Sequence, residues 1–331
     1  MTSSETQKNG EAHMTNKHEW GFRHLPFIIL HFYLLLLATT LNCLASPSSL
    51  GTPIFETISP HHHILVYERD GIRTLSFDGS METRMSISDP SQGHFEYTEY
   101  FHMPWLWNGL ISNVLVMGLG GASTQRSWER YYPHVTVETV EIDPVVLAVA
   151  RSYFHFKESP KQKVQISDGR VFLRRTEARY GAIFMDAYVQ NRYGSSIPYH
   201  LATKEFFTLA ASHLTTNGVL AYNVIGSLQS VAPDIVGSLY RTMRTVFPQV
   251  YSFPARSSRN VVLLATTSPE KLTFSTIQNR ASSLIYHKRI TLPTFRDRLY
   301  SFRADPPANY LSSPLLTDDF APVDGLLKTG N

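Results

Sequence analysis

Four places in the chain combine residue types and spacing that could do chemistry. The first is the turn Met117-Gly118-Leu119-Gly120-Gly121-Ala122-Ser123, which follows the apolar run Asn113-Val-Leu-Val-Met117. Glycines such as Gly118 and Gly120 let a backbone turn sharply and let a ligand reach the amides at a helix start. The spacing is G-x-G-G rather than the full dinucleotide fingerprint, so a plain glycine turn is the simpler alternative. The second is Val140-Glu141-Ile142-Asp143-Pro144. An acidic side chain about twenty residues past such a turn can accept hydrogen bonds from ribose hydroxyls. Glu141, at the strand end, is the candidate; Asp143 before Pro144 reads as a helix N-cap. The third is Ile166-Ser167-Asp168-Gly169-Arg170, where Asp168 can accept from an adenine amino group or cap the next helix. The fourth is Phe184-Met185-Asp186-Ala187-Tyr188, with Asp186 at a strand's carboxyl edge. Each signal is modest, but their ordered recurrence at one edge of one sheet is hard to obtain by accident.

That edge requires a particular set of elements. Apolar runs 113–117, 136–142, 164–166, 182–185 and 218–224 alternate with helical segments 124–131, 144–153, 170–177 and 203–213. Strands alternating with helices predict an α/β fold, a doubly wound, mostly parallel Rossmann-like sheet of the methyltransferase type. A helix over 234–247 and an antiparallel pair, 250–253 with 261–265, close it. Before it, His63-Ile-Leu-Val-Tyr67 and Arg73-Thr-Leu-Ser-Phe77 flank the turn signal Arg69-Asp70-Gly71, and 81–88 supplies a third strand, giving a small β-rich N-terminal domain. Aromatics at helical spacing predict a helix over 95–107. The division expected is 1–45 signal peptide or membrane anchor, 46–110 β-rich domain, 111–267 nucleoside-binding domain, and 268–331 a polar, Pro-rich extension with a helix over 274–287.

Composition narrows the function. Charged residues make up 17% and net charge is +3 without a Lys/Arg block, so no nucleic-acid partner is expected. One cysteine, Cys43, excludes an internal disulfide and a cysteine-based zinc site. In His61-His62-His63, adjacent strand side chains point to opposite faces, so a solvated strand start is expected and no metal site. Residues 25–45 hold no Asp, Glu, Lys or Arg and are long enough to span a bilayer. Read as a signal or anchor, they make the protein exported or membrane-associated; otherwise it is cytoplasmic.

Val114-Leu-Val-Met-Gly-Leu-Gly-Gly121, Val140-Glu-Ile-Asp-Pro144, Asp168-Gly169, Ala182-Ile-Phe-Met-Asp186 and Asn217-Gly-Val-Leu-Ala221 resemble the successive motifs of the spermidine synthase family. Phe95-Glu-Tyr-Thr-Glu-Tyr100 resembles that family's lead-in, and Leu316-Thr-Asp-Asp-Phe-Ala-Pro-Val-Asp324 its C-terminal motif. The resemblance implies an aminopropyltransferase. Decarboxylated S-adenosylmethionine (or S-adenosylmethionine) would be co-substrate and a small-molecule amine the acceptor. Glu141 would hold the ribose, Asp168-Gly169 the adenine, and Asp186, the candidate catalytic residue, the edge of the amine site. Tyr97 would help close the pocket, and a homodimer is compatible with the resemblance. Two departures matter. The family's glycines are followed by an amine-anchoring Asp, where this chain has Gly120-Gly121-Ala122. The family's Asp-x-x-Asp-Pro is here Asp186-Ala187-Tyr188-Val189-Gln190, so the carboxylate that orients and deprotonates the amine is replaced by Val189. Glu99, Asp318 and Asp319 are candidate replacements, and Tyr188, Tyr193 and Tyr199 candidate pocket walls. A methyltransferase with another acceptor and a non-catalytic nucleoside-binding module are the alternatives.

Overall fold

The computed structural model describes residues 50–191 and 194–327. The apolar run 25–45 lies outside them, as does Tyr193. Among the described residues no helix is long and apolar enough to cross a membrane.

The chain opens with a four-stranded antiparallel sheet of β1 (Pro53–Ile58), β2 (His63–Arg69), β3 (Ile72–Phe77) and β4 (Ser80–Ser86) in sequence order. Asp70-Gly71 and Asp78-Gly79 all have positive φ, the backbone that two-residue hairpins demand and that Asp and Gly tolerate. β3 and β4 are not in simple register. Leu75 faces Thr83 and Ser76 faces Met81, so Glu82 is the extra, unpaired residue of a β-bulge.

Residues 96–106 are helical, as the aromatic spacing predicts, but in the tighter 3₁₀ form, Glu96–Leu106. Pro104 inside the run has no N–H to give to an α-helical ladder. Residues 97–106 are all buried, so this segment is a core plug rather than an amphipathic surface helix. Its Phe101 stacks on Phe184, and its Trp105 packs with Trp128 and Tyr132.

The larger sheet follows the expected alternation: β5 (Asn113–Met117), α1 (Ser123–Tyr131), β6 (Thr136–Glu141), α2 (Pro144–Tyr153), β7 (Gln162–Ile166), α3 (Gly169–Arg175) and β8 (Tyr180–Met185). A short hairpin, β9 (Val189–Asn191) with β10 (Gly194–Ser196), precedes α4 (Lys204–Ser212), β11 (Leu214–Ile225) and α5 (Ile235–Arg244). β12 (Gln249–Pro254) and β13 (Asn260–Thr266) complete seven strands in the order β12-β13-β11-β8-β5-β6-β7. β11, β8, β5, β6 and β7 run parallel, while β13 is antiparallel to both its neighbours. Strand order reverses between β5 and β8, which opens a crevice at their carboxyl ends. β8 is buried along its whole length, as a central parallel strand covered on both faces must be.

The polar C-terminal segment carries more core than its composition suggests. α6 (Phe274–Tyr286) buries Ile277 and Ala281 in the aromatic core beside the 3₁₀ helix, while Leu316 and Val323 enter the core on the other side of the large sheet.

Candidate active site

At the crevice, β5 ends on Gly118 with φ +101°. A Cβ there would lie 2.3 Å from the Asp186 carbonyl oxygen, so only glycine lets the ends of β5 and β8 meet. The Gly118 amide donates to the Val140 carbonyl and the Asp186 amide to the Met117 carbonyl, each at 2.9 Å. The ends of β6, β5 and β8 are thereby bonded together. Gly120 also has positive φ, which turns the chain into α1. The Gly121 amide donates to the Thr83 hydroxyl at 2.8 Å, and a Cβ at 121 would fall 2.5 Å from Thr83 Cγ2. The N-terminal sheet therefore closes directly over the glycine turn.

Glu141 is buried, with Oε2 accepting from the Leu119 amide and Oε1 from the Asp143 amide, both at 2.9 Å. Burial pushes its carboxyl above the ordinary range, against the pull of those amides. Each oxygen keeps a lone pair for a further donor. Asp143 caps α2 through the Val145 amide, as its place before Pro144 predicts. Asp168 caps the next helix, as its position suggests, and also meets a histidine. Its Oδ1 caps α3 at the Val171 amide, 2.9 Å, and its Oδ2 lies 2.7 Å from His200 Nε2. The His200 hydrogen bond, against partial burial, holds its carboxyl below the usual range. Gly169 is pressed onto Met117, whose sulfur would be 2.9 Å from an added Cβ.

Asp186 is half-buried, its Oδ2 accepting from the Tyr97 hydroxyl at 3.1 Å and its Oδ1 from Asn223 Nδ2 at 2.9 Å. Desolvation pushes its carboxyl up to about 6, although both hydrogen bonds favour the charged form. Tyr188 donates to the Asn223 carbonyl at 3.2 Å. Gly118, Gly120, Glu141, Asp168, Gly169, Asp186, Tyr97 and Tyr188 thus all line one cavity of about 1060 Å³, its open mouth included.

The candidate replacement carboxylates are elsewhere. Glu99 is clamped by Arg298 Nε at 2.5 Å and His94 Nε2 at 2.9 Å. Against the cost of burial, its hydrogen bonds hold it down to about 2. Asp318 makes a two-pronged pair with Arg170, at 2.7 and 2.6 Å, and accepts from the Thr203 hydroxyl at 2.7 Å. Asp319 is exposed, and none of the three lines the cavity. The carboxylate that does is Glu82, on the β4 bulge, which the sequence reading passed over. Burial, with Asp186 and then Asp78 nearby, pushes its carboxyl up to about 8. The available signal was a lone acidic residue just after the Asp78-Gly79 turn; the bulge that aims it is invisible without the partner strand.

Tyr199 is 60% exposed and stands outside this cavity. The histidine triplet diverges. His63 Nε2 meets Glu56 at 2.7 Å, while His62 is buried, not solvated, stacked on Phe77 and lining the cavity. Burial pulls the His62 ring below its ordinary pKa despite Asp78.

Comparison with known proteins agrees with this architecture. Residues 94–266 match the spermine/spermidine synthase domain. A polyamine aminopropyltransferase of Vibrio vulnificus is 31% identical over 308 residues, 89% of this chain and 98% of that protein. The crystal structure of Thermotoga maritima spermidine synthase superposes with a TM-score of 0.59 at 19% identity, covering 76% of this chain and 84% of that one. A spermidine synthase in complex with the transition-state analogue AdoDATO gives 0.62 at 19% identity, covering 76% and 85%. At such identity the structural likeness speaks for the fold, whereas the sequence matches speak for descent: the chain belongs to the spermine/spermidine synthase family.

Proposed function

We propose that the protein is a spermidine synthase-like aminopropyltransferase, which moves an aminopropyl group from decarboxylated S-adenosylmethionine to an amine. The observation that carries this reading is the meeting of Glu141, Asp168 and Asp186 in one cavity, with Tyr97 and Tyr188 beside Asp186. Glu141 accepts from the ribose hydroxyls and Asp168 from the adenine amino group. Asp186, about twenty residues past Asp168 and across the strand-order reversal, faces the reacting end.

The reaction is a displacement. The amine nitrogen's lone pair forms a bond to the carbon beside the sulfonium. The carbon–sulfur bond breaks, and its electrons return to sulfur as neutral methylthioadenosine leaves. The nitrogen must be neutral to attack, and Asp186 takes its proton. A carboxyl raised to about 6 is a stronger base than an ordinary aspartate while remaining ionised at neutral pH. Holding nucleophile and carbon in line supplies much of the remaining rate.

Charge favours the decarboxylated donor. Asp186 and Glu82 line the same cavity, and among the described residues no Lys or Arg does. The α-carboxylate of intact S-adenosylmethionine would meet the Asp186 charge and no Lys or Arg to offset it in a partly desolvated space.

Titration calorimetry on the full chain tests this. Decarboxylated S-adenosylmethionine is expected to bind at least tenfold more tightly than S-adenosylmethionine, with methylthioadenosine released when an amine is added. Glu141→Ala and Asp168→Ala are each expected to weaken methylthioadenosine at least tenfold. Preference for the carboxylated form, or binding without turnover across a panel of amines, overturns the proposal.

A further inference from the structure

The departures at Gly121 and Val189 leave the amine end without two family carboxylates. We infer that Glu82, delivered by the β4 bulge, is the carboxylate that anchors a primary ammonium in this cavity, forming with Asp186 a two-carboxylate clamp. The inference rests on the aminopropyltransferase reading above and names the group that makes its acceptor half workable.

Three observations support it. First, the bulge leaves Glu82 out of register with β3, so its side chain is aimed separately from its strand neighbours. Thr83, next along, turns the other way onto the glycine turn. Second, Glu82 lines the cavity and its carboxyl has no hydrogen-bond partner among the described residues, whereas the carboxyls of Glu141, Asp168 and Asp186 each have two. A largely buried carboxylate without a donor is costly to keep, and a cationic ligand would remove that cost. Third, no internal cation serves. Among the described residues the basic groups on the cavity wall are His62, whose ring burial keeps neutral, and His200, which is spent on Asp168. Glu82, Asp186, Tyr97 and Tyr188 all line this one space, and the Asp186 charge acts on the Glu82 carboxyl. A primary ammonium offers three donors to such a space.

The ammonium has two sources, the aminopropyl arm of the donor or the distal end of a diamine acceptor, and Glu82→Gln distinguishes them. Wild type and variant are titrated with methylthioadenosine, with decarboxylated S-adenosylmethionine, and with putrescine in the presence of methylthioadenosine. Methylthioadenosine, which carries no ammonium, is expected to bind both within twofold. A loss of tenfold or more for the donor alone assigns Glu82 to the aminopropyl arm; the same loss for putrescine alone assigns it to the acceptor. Equal affinities for all three ligands overturn the inference, as does a parallel loss for all three, which marks a structural residue. Because the amide carries no charge to desolvate, the variant should unfold in urea no earlier than wild type at pH 8. If it does not fold, Glu82→Asp is the second variant, with weakening confined to ammonium-bearing ligands; failure of both to fold also overturns the inference. If wild type binds none of the ligands, the functional reading falls as well. If wild type binds and Glu82→Gln matches it, only the role of Glu82 falls.

Discussion

Asp186 is tuned by two opposing influences of similar kind and different size. Desolvation raises its pKa, and the Tyr97 and Asn223 hydrogen bonds pull it back to about 6. The Asp186 step of the acid limb of kcat/KM should therefore fall near pH 6, below the Glu82 step near 8. Tyr97→Phe removes a donor that favours the charged form, so the limb should move to higher pH, with a severalfold loss of rate at pH 6 and little change at pH 8. A limb that stays in place would mean that Tyr97 does not act through Asp186. Asp186→Asn should lower kcat by about 10²–10⁴-fold with methylthioadenosine binding unchanged, the size of a lost general base. The sign for stability is opposite. A raised carboxyl pKa favours the neutral form in the fold, so its contribution is present below the unfolded pKa and is lost as pH rises through about 6. Asp186→Asn should thus be at least as stable as wild type at pH 8 in urea unfolding.

Among the elements, the connection before α4 shows how a distant segment positions a site residue. Asp318, from the C-terminal motif, holds Arg170 in a two-pronged pair, and Arg170 also donates to the His200 carbonyl at 3.1 Å. His200 in turn holds Asp168. Asp318→Ala leaves the Arg170 guanidinium, whose side chain is only 10% exposed, without its counter-charge. Because the Asp318 side chain is 41% exposed, the loss should be about 1–3 kcal/mol rather than the 3–5 of a fully buried pair. Methylthioadenosine affinity should fall severalfold with it, since His200 loses a constraint. An unchanged affinity would mean that His200 is held without the tail.

Seen as a whole, the cavity walls include three separate parts of the chain: Phe77 and Glu82 of the N-terminal sheet, Tyr97 of the 3₁₀ helix, and the strand ends of the large sheet. A nucleoside seated there touches all three and should stabilise them together. Methylthioadenosine at about 100 times its Kd adds about 2.7 kcal/mol, so thermal unfolding should shift upward by several degrees as a single transition. A shift confined to one part of a split transition would show that the N-terminal sheet does not share the site.

Much of this was legible in the chain itself. The order of glycine turn, Glu141, Asp168 and Asp186 along alternating strands and helices was enough for the fold and for the set of residues that meet in the cavity, because strand period, caps and turns are properties of a few consecutive residues. Asp143 before Pro144 identified its own cap for the same reason. The 3₁₀ form of 96–106 was not legible, since spacing alone does not distinguish a plug buried on every side from an amphipathic helix. Nor were the fates of the carboxylates. Glu99 and Asp318 are neutralised by Arg298 and Arg170, about 200 and 150 residues away along the chain, and Glu82 reaches the cavity through a bulge defined only against β3. Whether an acidic side chain is paired, solvated or left facing a ligand depends on what distant segments place beside it. That is settled by packing and register, which no stretch of neighbouring residues contains.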